Sequence, residues 1–230
     1  MFSKTNFIML FLAAIIIYLK FNPSIEVMIV QLLNNLFFDK QILAFVTEIG
    51  NAFFITAFLI PALVIYSRID PGINDVPISM MVVPSLIFGL FIQSIKNIFN
   101  LPRPGGVEDI NIDFLDPVFQ SGAFPSGHAA SIFIIFFIWL NIALKDTKKH
   151  KVLKLSFFLF AIIVGLTRVI VGAHWLSDII GSFLFAWLFT EYGLKYFYGF
   201  AKAKLANYAS WLIVIFAWYG VFFIEVFDYI

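Results

Sequence analysis

The chain has 230 residues, of which 62% are hydrophobic and only 13% charged, with 31 Phe. A soluble domain carries roughly 25% charge, so the composition excludes that class and defines an integral membrane protein, all-α, folded as one helical bundle over residues 1–230. The net charge of +1 excludes a nucleic-acid partner, and the lack of Cys excludes disulfides, thiolate metal sites and a cysteine nucleophile.

A crossing needs roughly 20 apolar residues, and the sequence predicts seven, at 5–21, 44–67, 78–99, 125–144, 152–171, 175–196 and 206–226. The first begins after Lys4 and runs into Lys20-Phe21-Asn22-Pro23 with no small-residue cleavage site, so it reads as a retained anchor, not a signal peptide. Residues 24–43 set Ile25, Met28, Ile29, Leu32, Leu33 and Leu36 against Glu26, Gln31, Asn34 and Asn35. That spacing predicts an amphipathic helix, lying along the interface or packed on the bundle.

Lys96 lies near the end of the third span, and Arg103 follows in a loop that Pro102 and Pro104 keep from being helical. Arg168 ends the fifth span. Singly, each cation could simply reach toward the membrane surface. Together they suit a phosphate ester, because Arg presents a planar fork to its oxygens and Lys a compact charge.

Pro125-Ser126-Gly127-His128 opens the fourth span. It could be a plain helix start, with Ser126 as cap. Free backbone N–H groups also make an anion site, and Gly127 permits close approach. His128, one turn in, could protonate a leaving oxygen. His174 and Asp178 share one helix face at i,i+4; a carboxylate on one ring nitrogen leaves the other free to attack. His150, among lysines at the opposite end, reads as solvated.

Lysine and arginine bias the ends of the bundle ten to five. Lys4, Arg68, Lys145, Lys148, Lys149, Lys151, Lys154, Lys195, Lys202 and Lys204 mark the cytoplasmic side; Lys20, Lys40, Lys96, Arg103 and Arg168 lie opposite. All three motifs fall on the second, non-cytoplasmic side.

Lys96-x6-Arg103-Pro104, Pro125-Ser126-Gly127-His128 and Thr167-Arg168-x5-His174-x3-Asp178 resemble, in order and internal spacing, the three-part signature of the type 2 phosphatidic acid phosphatase (PAP2) superfamily, over residues 96–178. The apolar surroundings resemble its membrane-bound branch. One departure is Thr167, where the family usually has Ser; the hydroxyl is kept. The resemblance implies a six-helix core, here with an additional C-terminal span.

It also implies metal-independent, cofactor-free phosphoryl transfer from a membrane lipid phosphate. In that scheme His174 attacks phosphorus, Asp178 orients it and His128 protonates the leaving group. Lys96, Arg103, Arg168, Ser126 and the Gly127 amide hold the phosphoryl oxygens, and water then hydrolyses a phosphohistidine. The expected setting is a bacterial inner membrane with the site facing the periplasm, and the substrate lipid A, phosphatidylglycerol phosphate or undecaprenyl pyrophosphate. The loop 105–124 carries Glu108, Asp109, Asp113 and Asp116 and no base; it is either a solvated loop or a surface for sugar hydroxyls. A phosphotransferase using the same histidine, and a flippase, are the alternatives.

Overall fold

A computed structural model describes residues 4–144, 148–201 and 203–230. Lys145 and Lys202 of the charge count therefore lie outside the described residues. The elements are α1 (Lys4–Phe21), α2 (Pro23–Asn34), α3 (Lys40–Glu48), α4 (Ala52–Ile69), α5 (Ile78–Phe99), α6 (Gly127–Ala143), α7 (Lys148–Ile170), α8 (Leu176–Leu188) and α9 (Lys204–Phe223). Among the described residues there is no strand, and the expected all-α bundle stands.

Helix α6 is the axis. Ala129, Ile132, Phe133, Ile135, Phe136 and Trp139 are buried on all its sides, as expected of a helix wholly surrounded by others. Helices α5, α7 and α8 pack around it, α1 leans on α8, and α9 packs on α4 and α5. The outer surface is apolar too, with Leu90, Leu212 and Phe223 exposed, because its solvent is lipid. Pro61 cannot donate to the Ala57 carbonyl, and α4 passes this point as a π turn over Ile55–Leu59. The freed carbonyl accepts Trp218 Nε1 at 2.6 Å, so a backbone group unpaired by proline becomes the dock for α9.

Several boundaries differ from expectation. Among the described residues, four helices are long and apolar enough to cross, against the seven expected, and α1 with α2, bent by 97°, makes a fifth if the pair counts as one. Helix α6 has only 17 residues, because Ser126 caps it. Helix α8 ends at Leu188 and continues as a π turn, Phe189–Gly193, and a 3-10 turn, Leu194–Phe197. Such shorter inner helices are tolerated because protein, not lipid, surrounds their ends.

The predicted span 44–67 is broken before Ala52. Asn51 Oδ1 accepts Phe53 N at 2.9 Å and starts α4 afresh. The break has a steric use: a Cβ on Gly50 would lie 3.0 Å from both His128 Cβ and its carbonyl oxygen, so glycine lets this turn sit against α6 without displacing it.

The predicted helix 24–43 is two helices, the second capped by Asp39, whose Oδ1 accepts Ile42 N at 2.9 Å. The first packs on the bundle with its polar stripe inward. Glu26 and Asn34 are buried, while Met28 and Leu32 are exposed. Asn34 Nδ2 donates to Ile170 O and Asp113 O, and its Oδ1 accepts Asp113 N. It thereby pins the loop after α5 to the end of α7. His150, expected to be solvated, is buried beside the turn at Gly72, because the α4–α5 connection folds over the start of α7.

Candidate active site

The three motifs meet at one end of the bundle. Asn100 ends α5 in the left-handed conformation (φ 38°), turning the chain so that Arg103 faces back. Arg103 Nε donates to Ser121 O at 2.8 Å, and its guanidinium lies 5.0 Å from the Phe119 ring centre. Its buried Nη1 has no hydrogen-bond partner among the described residues. Arg168, at the end of α7, is 1% exposed. It donates through Nη1 to Thr47 Oγ1 at 3.2 Å, and its Nε is likewise buried and unpartnered. Lys96 Nζ comes within 3.9 Å of where a Cβ on Gly127 would stand. Two guanidinium N–H groups without partners, beside an ammonium, leave donors for an anion's oxygens, since buried donors are otherwise almost always paired.

After α7 the chain must reverse within a few residues. Gly172 does this at φ +74°, a region open to glycine and costly to other residues. Ala173 N and His174 N then both donate to Arg168 O, at 2.9 and 3.0 Å, so the third motif is one rigid turn. His174 Nδ1 stands 3.3 Å from Asp178 Oδ2, which also accepts Trp175 N at 2.9 Å. A carboxylate only accepts, so Nδ1 carries the proton and Nε2 keeps its lone pair. Burial first, then the charges of Arg103, Lys96, Arg168 and His128, hold the His174 pKa well below its ordinary 6.5. Those four side chains therefore share its surroundings.

Gly127 starts α6, and Ser126 Oγ accepts Ala129 N at 3.5 Å as its cap. A hydroxyl used as acceptor still has its own proton to give. Ser182 Oγ donates to Ser126 O at 2.8 Å, tying the cap to α8. His128 Nε2 lies 3.4 Å from Glu48 Oε2 and 3.9 Å from Asp228 Oδ2. Facing two carboxylates, that nitrogen is the donor. Thr167, which keeps the hydroxyl of the family's Ser, donates it to Val164 O at 2.7 Å. The acids of the loop, Glu108, Asp109, Asp113 and Asp116, are all exposed.

Sequence reasoning missed the charged side chains that touch the motif residues from other parts of the chain. Lys20 Nζ donates to Asp178 Oδ1 at 2.8 Å. Glu48 stands under His128. After α9 the chain returns to the site, where Asp228 Oδ2 is 3.5 Å from Arg168 Nη2 and the Tyr229 ring centre lies 5.0 Å from the same guanidinium. The backbone N–H of Asp228 donates to Glu48 Oε1 at 3.2 Å. One signal was available: an acid or base within an apolar stretch is expensive and so a functional candidate.

Glu48, His128 and Asp228 each bring a ligand atom within 4.8 Å of the others. The set could take a cation, but Arg168 already presses its positive charge on the Asp228 oxygen. With Lys96 and Arg103 nearby, the local field favours an anion. Asp228 therefore competes for the place of that anion. Asp228→Asn is expected to tighten inhibition by inorganic phosphate about five- to tenfold, read from inhibition constants; unchanged or weaker inhibition would count against this competition.

Two histidines, each held by a carboxylate, face three cations at one end of an apolar bundle. That arrangement gathers positive charge and unpaired N–H donors in one place within an all-helical, largely apolar fold. A family model for the PAP2 superfamily matches residues 79–202, more than half the chain and all three motifs, and the chain belongs to that superfamily. It is 33% identical over 84 residues to phosphatidylglycerophosphatase B of Bacillus subtilis (strain 168), a match covering 34% of this chain and 40% of that protein's length. The fold resembles the crystal structure of Aquifex aeolicus LpxE, with a TM-score of 0.54 and 24% identity over 73% of this chain and 93% of the other.

Proposed function

We propose that this protein is a lipid phosphate phosphatase that works through a phosphohistidine at the periplasmic face of a bacterial inner membrane. The observation that carries the reading is the convergence of the His174–Asp178 pair, His128 and three cations beside an apolar cavity. That cavity, about 570 Å³, starts at Gly127 and His128 and runs between α4, α5 and α6 past Ile60, Val82, Phe88 and Ile134. A headgroup phosphate in the cation cluster would leave its tail in this cleft, where burial of apolar surface supplies binding free energy.

In the first step the Nε2 lone pair of His174 attacks phosphorus. The P–O bond to the lipid breaks, and the leaving oxygen takes the Nε2 proton of His128, which enters the step as imidazolium and leaves it as neutral imidazole. In the second step water attacks the phosphohistidine and gives its proton to His128, and the P–N bond breaks to release phosphate and free His174. Asp178 stabilises the charge gained by His174. Arg103, Arg168, Lys96, the Ser126 hydroxyl and the Gly127 amide hold the equatorial oxygens, where such reactions gain most of their stabilisation. The site shares its end of the bundle with Lys20 and Lys40, and Arg68, Lys151, Lys154, Lys195 and Lys204 belong to the other end, which supports a periplasmic site.

The test is phosphate release by the purified protein from phosphatidylglycerol phosphate, undecaprenyl pyrophosphate and lipid A, without an acceptor and with or without a chelator. Release unaffected by chelator is expected. No release from any of them, or release only with an acceptor lipid, would overturn the hydrolase reading; chelator-sensitive release would overturn the metal-independent mechanism.

The pH profile gives a second test. The neutral His174 that attacks exists above its own pKa and is lost as pH falls through it. Because that pKa lies well below 6.5, the acid limb of kcat/KM should fall below pH 6.5. Lys96→Met removes one of the cations that depress it. The acid limb should then move to higher pH, while the plateau drops about 10²-fold with the lost clamp. A lowered plateau with an unmoved limb would contradict the assignment.

A further inference from the structure

We infer that Lys20, at the end of α1 and outside all three motifs, is a positioning residue for the nucleophile, acting through Asp178; the inference rests on the phosphohistidine reading above. Asp178 is fully buried, and its two oxygens are used differently. Oδ2 takes the Trp175 N–H and faces His174 Nδ1, while Oδ1 takes Lys20 Nζ at 2.8 Å. A buried carboxylate without a cation tends to take up a proton. A protonated Asp178 would no longer draw the Nδ1 proton of His174, and the attacking nitrogen would lose its fixed tautomer. Lys20 thus holds Asp178 in the acceptor state that His174 requires.

The surroundings support a placed lysine instead of a topological one. Lysines near helix ends usually turn outward to the headgroups. Lys20 turns inward, its side chain only a quarter exposed and its ammonium 5.5 Å from the Phe124 ring centre. Glu26, buried on α2, stands 3.9 Å from the ammonium through Oε1, and its Oε2 accepts Ser177 N at 3.4 Å. Glu26 therefore offsets the lysine charge and ties α2 to the first turn of α8. The other charges acting on or felt by Asp178 are Lys96 of α5, Arg103 of the following loop and Glu26. Of these Lys96 and Arg103 belong to the proposed phosphate clamp. Among the described residues, Lys20 is the cation that forms a salt bridge with Asp178.

The experiment uses the full chain in detergent micelles with dioctanoyl phosphatidic acid as probe. Lys20→Met is expected to lower kcat about 10- to 100-fold with KM within about twofold, as for loss of an outer partner that orients a reacting group. Lys20→Arg, which keeps the charge, should recover most of the loss. In 15N-labelled protein the His174 Nδ1–H resonance, shifted downfield by its carboxylate, should move upfield in Lys20→Met. If Lys20→Met does not fold, Lys20→Gln takes its place under the same criteria.

Wild-type kcat in the substituted protein, or an unmoved Nδ1–H resonance, would overturn the inference. So would a loss of kcat and KM together that Lys20→Arg does not restore. Retained turnover in His174→Ala would instead sink the phosphohistidine reading, and the Nδ1–H resonance compared between the wild type and Lys20→Met would still report on the Lys20–Asp178–His174 chain.

Discussion

His174→Ala is expected to lose phosphate release by about 10⁴-fold or more, as when the nucleophile of a hydrogen-bonded catalytic unit is removed. The protein should still bind phosphate, because Lys96, Arg103 and Arg168 are untouched. Two measurements check this: single-turnover release from a lipid phosphate, and inhibition of wild-type turnover by the inactive variant through substrate depletion. The imidazole that is lost is 1% exposed and sits beside three cations and His128. The substitution leaves a small cavity, so the fold should persist. Acid-labile labelling from 32P-substrate should appear in the wild type and vanish in the variant. Turnover at the wild-type rate in His174→Ala would remove the covalent mechanism and every role derived from it.

Arg168→Lys is expected to cost about 10²- to 10³-fold in kcat/KM, a loss comparable to that of one preorganised donor aimed at transition-state charge. The charge is retained, so the size of the effect reports geometry. The guanidinium does three things at once. It donates to Thr47 at 3.2 Å, lies against the Tyr229 ring and keeps a buried Nε free. An ammonium has neither the planar face for the ring nor the fork for two phosphate oxygens. Steady-state kinetics on the purified variant, with a melting curve to show that it is folded, decide the matter. Near wild-type kcat/KM would mean that Arg168 serves only the packing of the returning segment.

The three motifs were legible because they are local. Lys96 and Arg103 are seven residues apart with Pro102 between them, His174 and Asp178 are four residues apart across the start of α8, though His174 lies in the turn before that helix and not on its face as expected, and Ser126 sits where a cap must be. Chain geometry alone places such pairs. The end of the bundle they share was legible from the bias of lysine and arginine. Less could be read where direction, not period, matters. The stripe of Glu26 and Asn34 on α2 was visible, but not that it turns inward, since lipid makes the outer surface the apolar one. The break before Ala52 had a local signal in Glu48, Gly50 and Asn51, the last of which caps the restarted helix, but the approach of Gly50 to His128 that the break allows was not visible.

Composition, span length and motif spacing by themselves determined the class of protein, the helical architecture and which motif residues to look for at a candidate site. Tertiary structure alone decided what supports those groups. Lys20 reaches Asp178 across 158 positions, Glu48 reaches His128 across 80, and Asp228 meets Glu48 across 180. No periodicity encodes such meetings. They follow from which helices pack side by side, and that is settled by the fit of whole faces, summed over many small contacts between residues far apart in the chain.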